Sequence, residues 1–425
     1  MIDIKNLREN PELYKENAKK KFKDSKTVDS VLRIDSEWRK LKLEADNLRS
    51  GRNKISEEIN QAKKKRKSAD SLIKKAKEIP KKLEHVEQRE KEIYEKLKLE
   101  IVKIPNIISK RVPIGKDENH NVEGEKFGKV EKKNFEVKSH VEIAEQLGMA
   151  DFDSSSRVSG TGFYYLEGDL ALMNAALINY ARDIMIERGF RYVETPLMLN
   201  EEIIDKVTDL NDKKLQIYLV DDNPKKALIG TSEHSLIGRF VGREINEKDL
   251  PIKHTSYSMC FRKEIGSHGI DEKGLYRTHQ FNKIEMIVVC KPEQSEKFFE
   301  EIKKITIEIF KGLEIPIRVL KICSGDLGDL KYEQVDIEAW SPRQKKYFEV
   351  GSCSNLTDAQ ARKLGISTRI KGERITPHTL NNTALATSRA LVAILENNQQ
   401  KDGSVKIPKV LQKYLGGKKF LKMEK

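Results

Sequence analysis

From Val28 to about Ile101 the chain carries a hydrophobic repeat that leaves it few ways to fold. Apolar residues recur in alternating steps of three and four at Val31, Ile34, Trp38, Leu41, Ala45, Leu48, Ile55, Ile59 and Ala62, with only Arg52 out of pattern. A second run has the same spacing, at Ala69, Leu72, Ala76, Ile79, Leu83, Val86, Ile93 and Leu97, with Glu90 as its one break. Each run sustains about four heptads, enough to specify a coiled-coil seam. Between them stands KKKRKS, Lys63 to Ser68, whose five successive cations would repel one another inside a packed seam. That is the expected turn. Two runs of similar length joined by so short a link close their seams on each other, which predicts an antiparallel helical hairpin. The first helix should project about 45 to 50 Å. Pro80 removes a backbone donor and crowds the preceding turn, which predicts a kink or break in the second helix.

Such a hairpin serves either as a spacer or as a lever that carries its tip to a distant partner. Charge favours the lever. The chain has 81 Lys and Arg against 67 Asp and Glu, a net charge of +14, which points first to a polyanion such as nucleic acid. Lys63, Lys64, Lys65, Arg66 and Lys67 at the tip suit a phosphate backbone, and nothing there could read bases.

Past Leu99 the texture changes. Ile104–Asn106 and Val112–Glu125, rich in Gly, Asn and acid, read as a linker. Beyond Lys138 short β-branched runs alternate with amphipathic stretches. Helices are expected at Leu170–Arg188, Ser235–Arg239, Gln294–Lys311 and Thr383–Asn397. Strands are expected at Phe190–Thr195, His254–Arg262, Tyr276–Cys290, Ile317–Ile322, Gln334–Trp340 and Tyr347–Asn355. Successive strands with helices before and after them suggest an antiparallel sheet with packed helices. The expected fold class is therefore α+β, with a helical hairpin domain over 1–110 and a sheet domain over 111–425. No apolar run approaches the roughly 18 residues that cross a bilayer, and Met1 to Lys5 has no signal-peptide core. Cys260, Cys290, Cys323 and Cys353 are scattered without a C-x-x-C pair. Buried reduced thiols in a cytosolic protein are expected, and no zinc site.

The usual phosphate fingerprints, G-x-x-x-x-G-K-[ST] and a strand-to-helix G-x-G-x-x-G, are absent. Polar residues instead gather in four stretches. Cys260–Glu285 holds a loop with Gly266, Gly269 and Gly274 between two apolar strands, and Arg262 and Glu264, two apart, should share one face of a strand. They form either a surface pair or a reader for a ligand with both phosphate and amino groups. FEVGSCSN, Phe348 to Asn355, should put Glu349 and Gly351 on a common face. Thr379–Asn397 reads as an apolar helix whose single cation, Arg389, needs an anionic or aromatic partner. GTSE, Gly230 to Glu233, ends a strand before a helix.

RGFRYVETP at Arg188–Pro196, the stretch Cys260–Glu285 and the helix through Arg389 resemble, in order, motifs 1, 2 and 3 of the class II aminoacyl-tRNA synthetases. Taken with the hairpin, the chain resembles the seryl-tRNA synthetases over nearly its whole length. The resemblance implies a class II antiparallel-sheet catalytic domain. It implies activation of L-serine by ATP to seryl-adenylate, then transfer to the 3′ end of tRNA(Ser), with tRNA(Sec) left open. By this resemblance Arg262 would bridge the serine carboxylate and the α-phosphate, and Glu264 would accept from the adenine amino group. Phe281 and Arg389 would cover the two faces of the base. Lys263, Thr278, Val350 and Gly351 would complete the ATP site. Glu349 and Ser352 would hold Mg²⁺. Thr231, Ser232, Glu233, Arg262, Glu285 and Thr383 would receive serine, and Lys63 to Lys67 the tRNA, by its long variable arm. A cytoplasmic homodimer without membrane attachment is implied as well.

Three positions depart from the commonest family pattern: Gly351 for Ser or Ala, Thr278 for Val, and Thr383 for Ser. The first two are expected to soften ATP binding. TSE, GSHG and Asn382-Thr383 lean towards the archaeal and eukaryotic branch. Two rival readings are a noncatalytic RNA-binding relative and an enzyme that loads a carrier protein.

Overall fold

The computed structural model describes residues 2–208, 210–265 and 273–423. GSHG, with Gly266 and Gly269, lies outside the described residues. The chain divides into two compact units, Met1–Pro105 and Asn106–Lys425.

In the first unit, short helices Ile4–Glu9 and Pro11–Lys20 precede two long ones, α1 (Lys26–Lys64) and α2 (Asp70–Ile101). At 39 residues α1 is about 58 Å long, longer than the seam alone suggested. The heptad positions form the contact: Leu41, Ala45, Leu83 and Val86 make a buried cluster, with Leu48 and Ile93 against it. Trp38 packs on Tyr94 at 5.3 Å between ring centroids. Arg52, the break in the first seam, is exposed. The hairpin turns on Arg66, whose φ of +53° is left-handed. Lys67 N–H donates to the Ala62 carbonyl and Arg66 N–H to that of Lys63, the paired bonds that close a helix C-terminus. Lys63 to Lys67 are all exposed. Pro80 does not break α2, which runs through it from Asp70 to Ile101. It lies on the exposed face, where water can serve the carbonyl that proline leaves without a donor.

The second unit is built on an eight-stranded sheet: β1 (Val122–Phe127), β2 (Arg191–Tyr192), β3 (Ile252–Phe261), β4 (Gln280–Cys290), β5 (Ile317–Lys321), β6 (Glu333–Ser341), β7 (Lys346–Thr357) and β8 (His378–Ala386). Their spatial order is β1-β5-β6-β7-β8-β4-β3-β2. Every neighbouring pair is antiparallel except β2 with β3. Helices α3 (Gly168–Glu187), α5 (Ser295–Gly312) and α6 (Thr387–Asn397) bury their apolar stripes in one core with the sheet, and a short α4 (Ser232–Gly238) begins at the GTSE stretch. Gly189, at φ +76°, stops the chain just past α3, as its sequence position suggested.

Three expectations fail here. Part of the presumed linker is β1, an edge strand paired with β5. The strand expected over Phe190–Thr195 is only the two-residue β2, because Pro196 follows closely and its ladder is a short parallel one. The helix expected from Thr383 starts at Thr387: His378–Ala386 is the strand β8, held between β4 and β7 at the centre of the sheet. Its apolar residues fit helical spacing, but ladders on both sides and β-branched Thr379 and Thr383 favour the extended chain. All four cysteines are free and buried.

Candidate active site

One face of the central strands opens into a cavity of about 380 Å³. Side chains two apart on β4 point into it, so Phe281, Lys283 and Glu285 stand in line along its wall. Glu285 is 3% exposed and is the hub of this wall. Its Oε1 accepts from Thr231 Oγ1 and Thr383 Oγ1, both at 3.1 Å, and pairs with the Lys283 ammonium. Thr231 also caps α4 by accepting the Glu233 N–H, and this capping turns Glu233 inward. Glu233 Oε1 accepts from two neutral amides, Gln360 at 2.9 Å and Asn381 at 2.8 Å. Burial, and then the Glu285 charge, raise its pKa above the usual carboxylate range. Next to it, burial and the cations Arg262 and Lys283 push His234 down to about 3, so its imidazole is neutral.

Arg262 donates from Nε to the Gly230 carbonyl at 3.1 Å, and its guanidinium lies 5.4 Å from the centre of the Phe281 ring. Arg262 and Glu264 do not face together through strand alternation, because β3 ends at Phe261. Glu264 instead reaches the cavity from a left-handed backbone, φ +49°.

On the far wall Arg389 of α6 donates to the Glu349 carbonyl at 2.8 Å and pairs with its carboxylate at 3.0 Å. It also stands 5.5 Å from the centre of the Tyr276 ring. Glu349 and Gly351 were expected on one face, and they are not. Opposite Ile337 and Glu338 the β7 strand carries one extra residue, Val350, a bulge that reverses the alternation. Glu349 therefore joins Ser352 at the cavity. Gly351 and Cys353 face α5: a Cβ at Gly351 would meet Thr306 at 3.4 Å, and Cys353 Sγ approaches the Phe299 carbonyl at 3.8 Å. A side chain at Gly351 would thus enter the packing beneath α5, while the glycine itself lines the cavity. Directly across the ladder from Ser352 is Asp336, which burial and then the Glu349 charge push up to about 7. Burial also opposes the charge on Glu349, but Arg389 outweighs it and holds that group below its usual range.

The sequence placed most of this wall. Thr231, Glu233, Arg262, Glu264, Thr278, Phe281, Glu285, Glu349, Val350, Gly351, Ser352, Thr383 and Arg389 all line the cavity. Ser232 and Lys263 do not. Ser232 is fully buried and donates to the Ser256 carbonyl, because the residue after a helix cap turns away from its neighbours. Lys263 reaches over the Tyr218 ring at 5.9 Å. Lys283, Asn381, Gln360 and Asp336 went unnoticed. Period two along each strand would have found Lys283 from Glu285 and Asn381 from Thr383, whereas Gln360 and Asp336 meet the site only through tertiary packing.

A sheet of this topology with four separated polar stretches brought to one cavity defines the class II aminoacyl-tRNA synthetase core, and residues 216–398 match the family described as tRNA synthetase class II core domain (G, H, P, S and T). Residues 1–108 match the seryl-tRNA synthetase N-terminal domain. The chain is 43% identical to a serine-tRNA ligase of Methanocella arvoryzae over 99% of its own length and all of that protein. Its structure matches that of a seryl-tRNA synthetase from Pyrococcus horikoshii complexed with ATP, with TM-score 0.94, 42% identity and full coverage of both chains. It also matches a cytoplasmic serine-tRNA ligase from Naegleria fowleri in complex with AMP, with TM-score 0.91, 32% identity and coverage of 100% and 99%. The chain belongs to the seryl-tRNA synthetases.

Proposed function

We infer that the chain is a serine-tRNA ligase: it joins serine to ATP as seryl-adenylate with loss of pyrophosphate, then passes the seryl group to the 3′-terminal ribose of tRNA(Ser). The observation that carries this reading is the convergence of Arg262, Glu285, Glu349 and Arg389, from four separate segments, on one cavity. In the first step a serine carboxylate oxygen attacks the α-phosphorus and the bond to pyrophosphate breaks. The carboxylate is already a nucleophile, so no general base is required and positioning supplies most of the rate. Arg262 would bridge carboxylate and α-phosphate, where charge builds in the transition state. Phe281 and Arg389 would sandwich adenine, with Glu264 accepting from its amino group. In the second step the ribose hydroxyl attacks the seryl carbonyl and AMP leaves.

The serine end of the cavity has a chemical logic. Glu233 is buried near Glu285 and its bonded partners are neutral, so a substrate ammonium supplies the positive charge it lacks. Thr383 and Glu285 would receive the hydroxyl. Alanine would leave those groups unpaired, which rejects it strongly, whereas threonine must be excluded by crowding.

Magnesium fits the far wall. Glu349, Ser352 and Asp336 present oxygen donors only, which suits a hard cation that draws its remaining ligands from water and phosphate. Glu349 and Ser352 would hold it, and when bound it would neutralise charge on the pyrophosphate leaving group. The exposed cations of the tip would grip the long variable arm of the tRNA, an RNA helix read by shape and phosphate contacts. A homodimer follows the family habit for motif 1, Arg188–Pro196. Among the described residues no helix is long and apolar enough to cross a membrane. Four reduced thiols suit a cytoplasmic location.

Serine-dependent exchange of pyrophosphate into ATP tests the activity. Exchange with serine and little with threonine, alanine or cysteine is expected; no serine-dependent exchange across a range of Mg²⁺ concentrations would refute it.

A further inference from the structure

Behind the cavity a second set of buried polar groups joins distant segments of the catalytic unit. His140, which opens the helix His140–Gln146, is 2% exposed, and Glu396 in α6 is 1% exposed. The imidazole Nε2 accepts the backbone N–H of Leu275 at 3.1 Å. A ring nitrogen that accepts carries no proton, so the neutral ring keeps its hydrogen on Nδ1. Nδ1 stands 3.6 Å from Glu396 Oε1, too far for a hydrogen bond but close enough for the carboxylate to favour that tautomer. Glu396 is fixed in turn by Ser341 Oγ, which donates to Oε2 at 2.5 Å. Gly274 completes the arrangement. Its φ is +116°, and a Cβ built on it would lie 2.3 Å from Nε2, so the imidazole fills the room a side chain would need.

What these groups hold in place is the approach to the site. Leu275 precedes Tyr276, whose ring lies against Arg389 at 5.5 Å and edge-on to Phe348 at 5.5 Å. The short stretch from Gly274 to Arg277 leads into β4 without belonging to a strand, and the bond from Leu275 to His140 is a side-chain tie on its backbone. A buried histidine and glutamate add little net stability over an apolar pair of the same shape. Their use lies in where they put the Leu275 N–H.

We propose that His140 is a positioning residue for ATP: it holds the Leu275 N–H, and through it the Tyr276 ring against Arg389, while Glu396 and Ser341 hold the imidazole. This rests on the reading that Arg389 contacts ATP. His140 does not line the cavity and touches no substrate.

The test is pyrophosphate exchange by the full chain, with ATP and serine varied separately and active sites counted by the burst of adenylate. His140→Leu, which cannot accept, raises the ATP KM roughly tenfold, about the worth of one buried hydrogen bond, and leaves the serine KM within about twofold. His140→Gln, whose amide oxygen can accept from Leu275, recovers most of that loss. A residue that merely supports folding would lower the count of active sites and leave both KM values alone. A folded His140→Leu with unchanged ATP KM overturns the proposal, and so does a parallel rise in both KM values. If His140→Leu does not fold, Ser341→Ala and Glu396→Gln loosen the ring without touching Leu275. Each then raises the ATP KM roughly threefold, and no rise in either overturns the proposal. Arg389→Ala separates the two layers of inference. An unchanged ATP KM there removes the adenine contact and the proposal with it, whereas a rise there with none in His140→Leu removes the positioning role alone.

Discussion

The hairpin and the catalytic cavity use charge in opposite ways. Along α1 and α2 ion pairs such as Arg49 with Glu87, at 2.8 Å, sit in water with both side chains close to half exposed. Such pairs contribute about 0.2 to 1 kcal/mol each. The unit is held by its apolar seam, and the cations of its tip, Lys63 to Lys67, are exposed to a partner. On the β4 wall of the cavity the charges are buried and held by specific bonds: Glu285 alone takes two threonine hydroxyls and a lysine. The contrast predicts charge that is replaceable in one region and indispensable in the other.

Arg262→Ala tests the sharper half of that contrast. Exchange should fall roughly a thousandfold, since a donor aimed at developing charge in a dry site is worth several kcal/mol, while tRNA binding is retained. Replacing Lys63 to Lys67 with neutral residues should do the reverse. The tRNA KM should rise roughly 10- to 100-fold, its salt dependence should flatten, and serine-dependent exchange should stay unchanged. Equal loss of both activities in either variant would break the comparison.

The third prediction concerns protons. His234 has a folded pKa of about 3 against an ordinary 6.5, so the unfolded chain takes up a proton first as the pH drops. The stability it contributes is therefore complete above pH 6.5 and is lost as the pH falls towards 3. Between pH 6.5 and 5 the loss is about 2 kcal/mol in the catalytic unit. Urea unfolding should show that slope and His234→Gln should flatten it. Identical slopes for the two proteins would rule out the buried neutral imidazole.

The smallest effect is at Gly351. Its alanine variant should lose about 1 kcal/mol, because the new methyl group would lie 3.2 Å from the Thr383 carbonyl of a central strand. Because that methyl group points away from the cavity that Gly351 lines, the ATP KM should change little, and a clear rise would show that the substitution disturbs the nucleotide end of the site.

What could be read in the sequence follows from how locally each feature is encoded. The hairpin was legible because its seam repeats every few residues and each turn repeats the message. Only its continuity at Pro80 escaped, since whether a proline breaks a helix depends on which face it occupies. Glu285, Arg262 and Arg389 were legible through their resemblance to a known set of motifs. Alternation failed where the strand is irregular: at the Val350 bulge, and past Phe261, where Glu264 leaves the strand. The beginning of α6 was misplaced because Thr379–Ala386 takes its extended form from neighbours far off in sequence. Ser232 shows a different failure, since adjacency to Thr231 and Glu233 says nothing about direction once a helix begins.

The bulge in β7 makes the protein unequally tolerant of small changes in length. A β-strand counts residues in twos, and the odd residue at Val350 is what lands an acid on the reactive side at Glu349. Losing one residue there would send that carboxylate into the apolar layer beneath α5 and bring its neighbour to the surface it left. Elsewhere in the hairpin of β6 and β7 a residue gained at the connecting turn would be absorbed by solvent. Drift in this stretch should therefore collect at the turn and spare the kink.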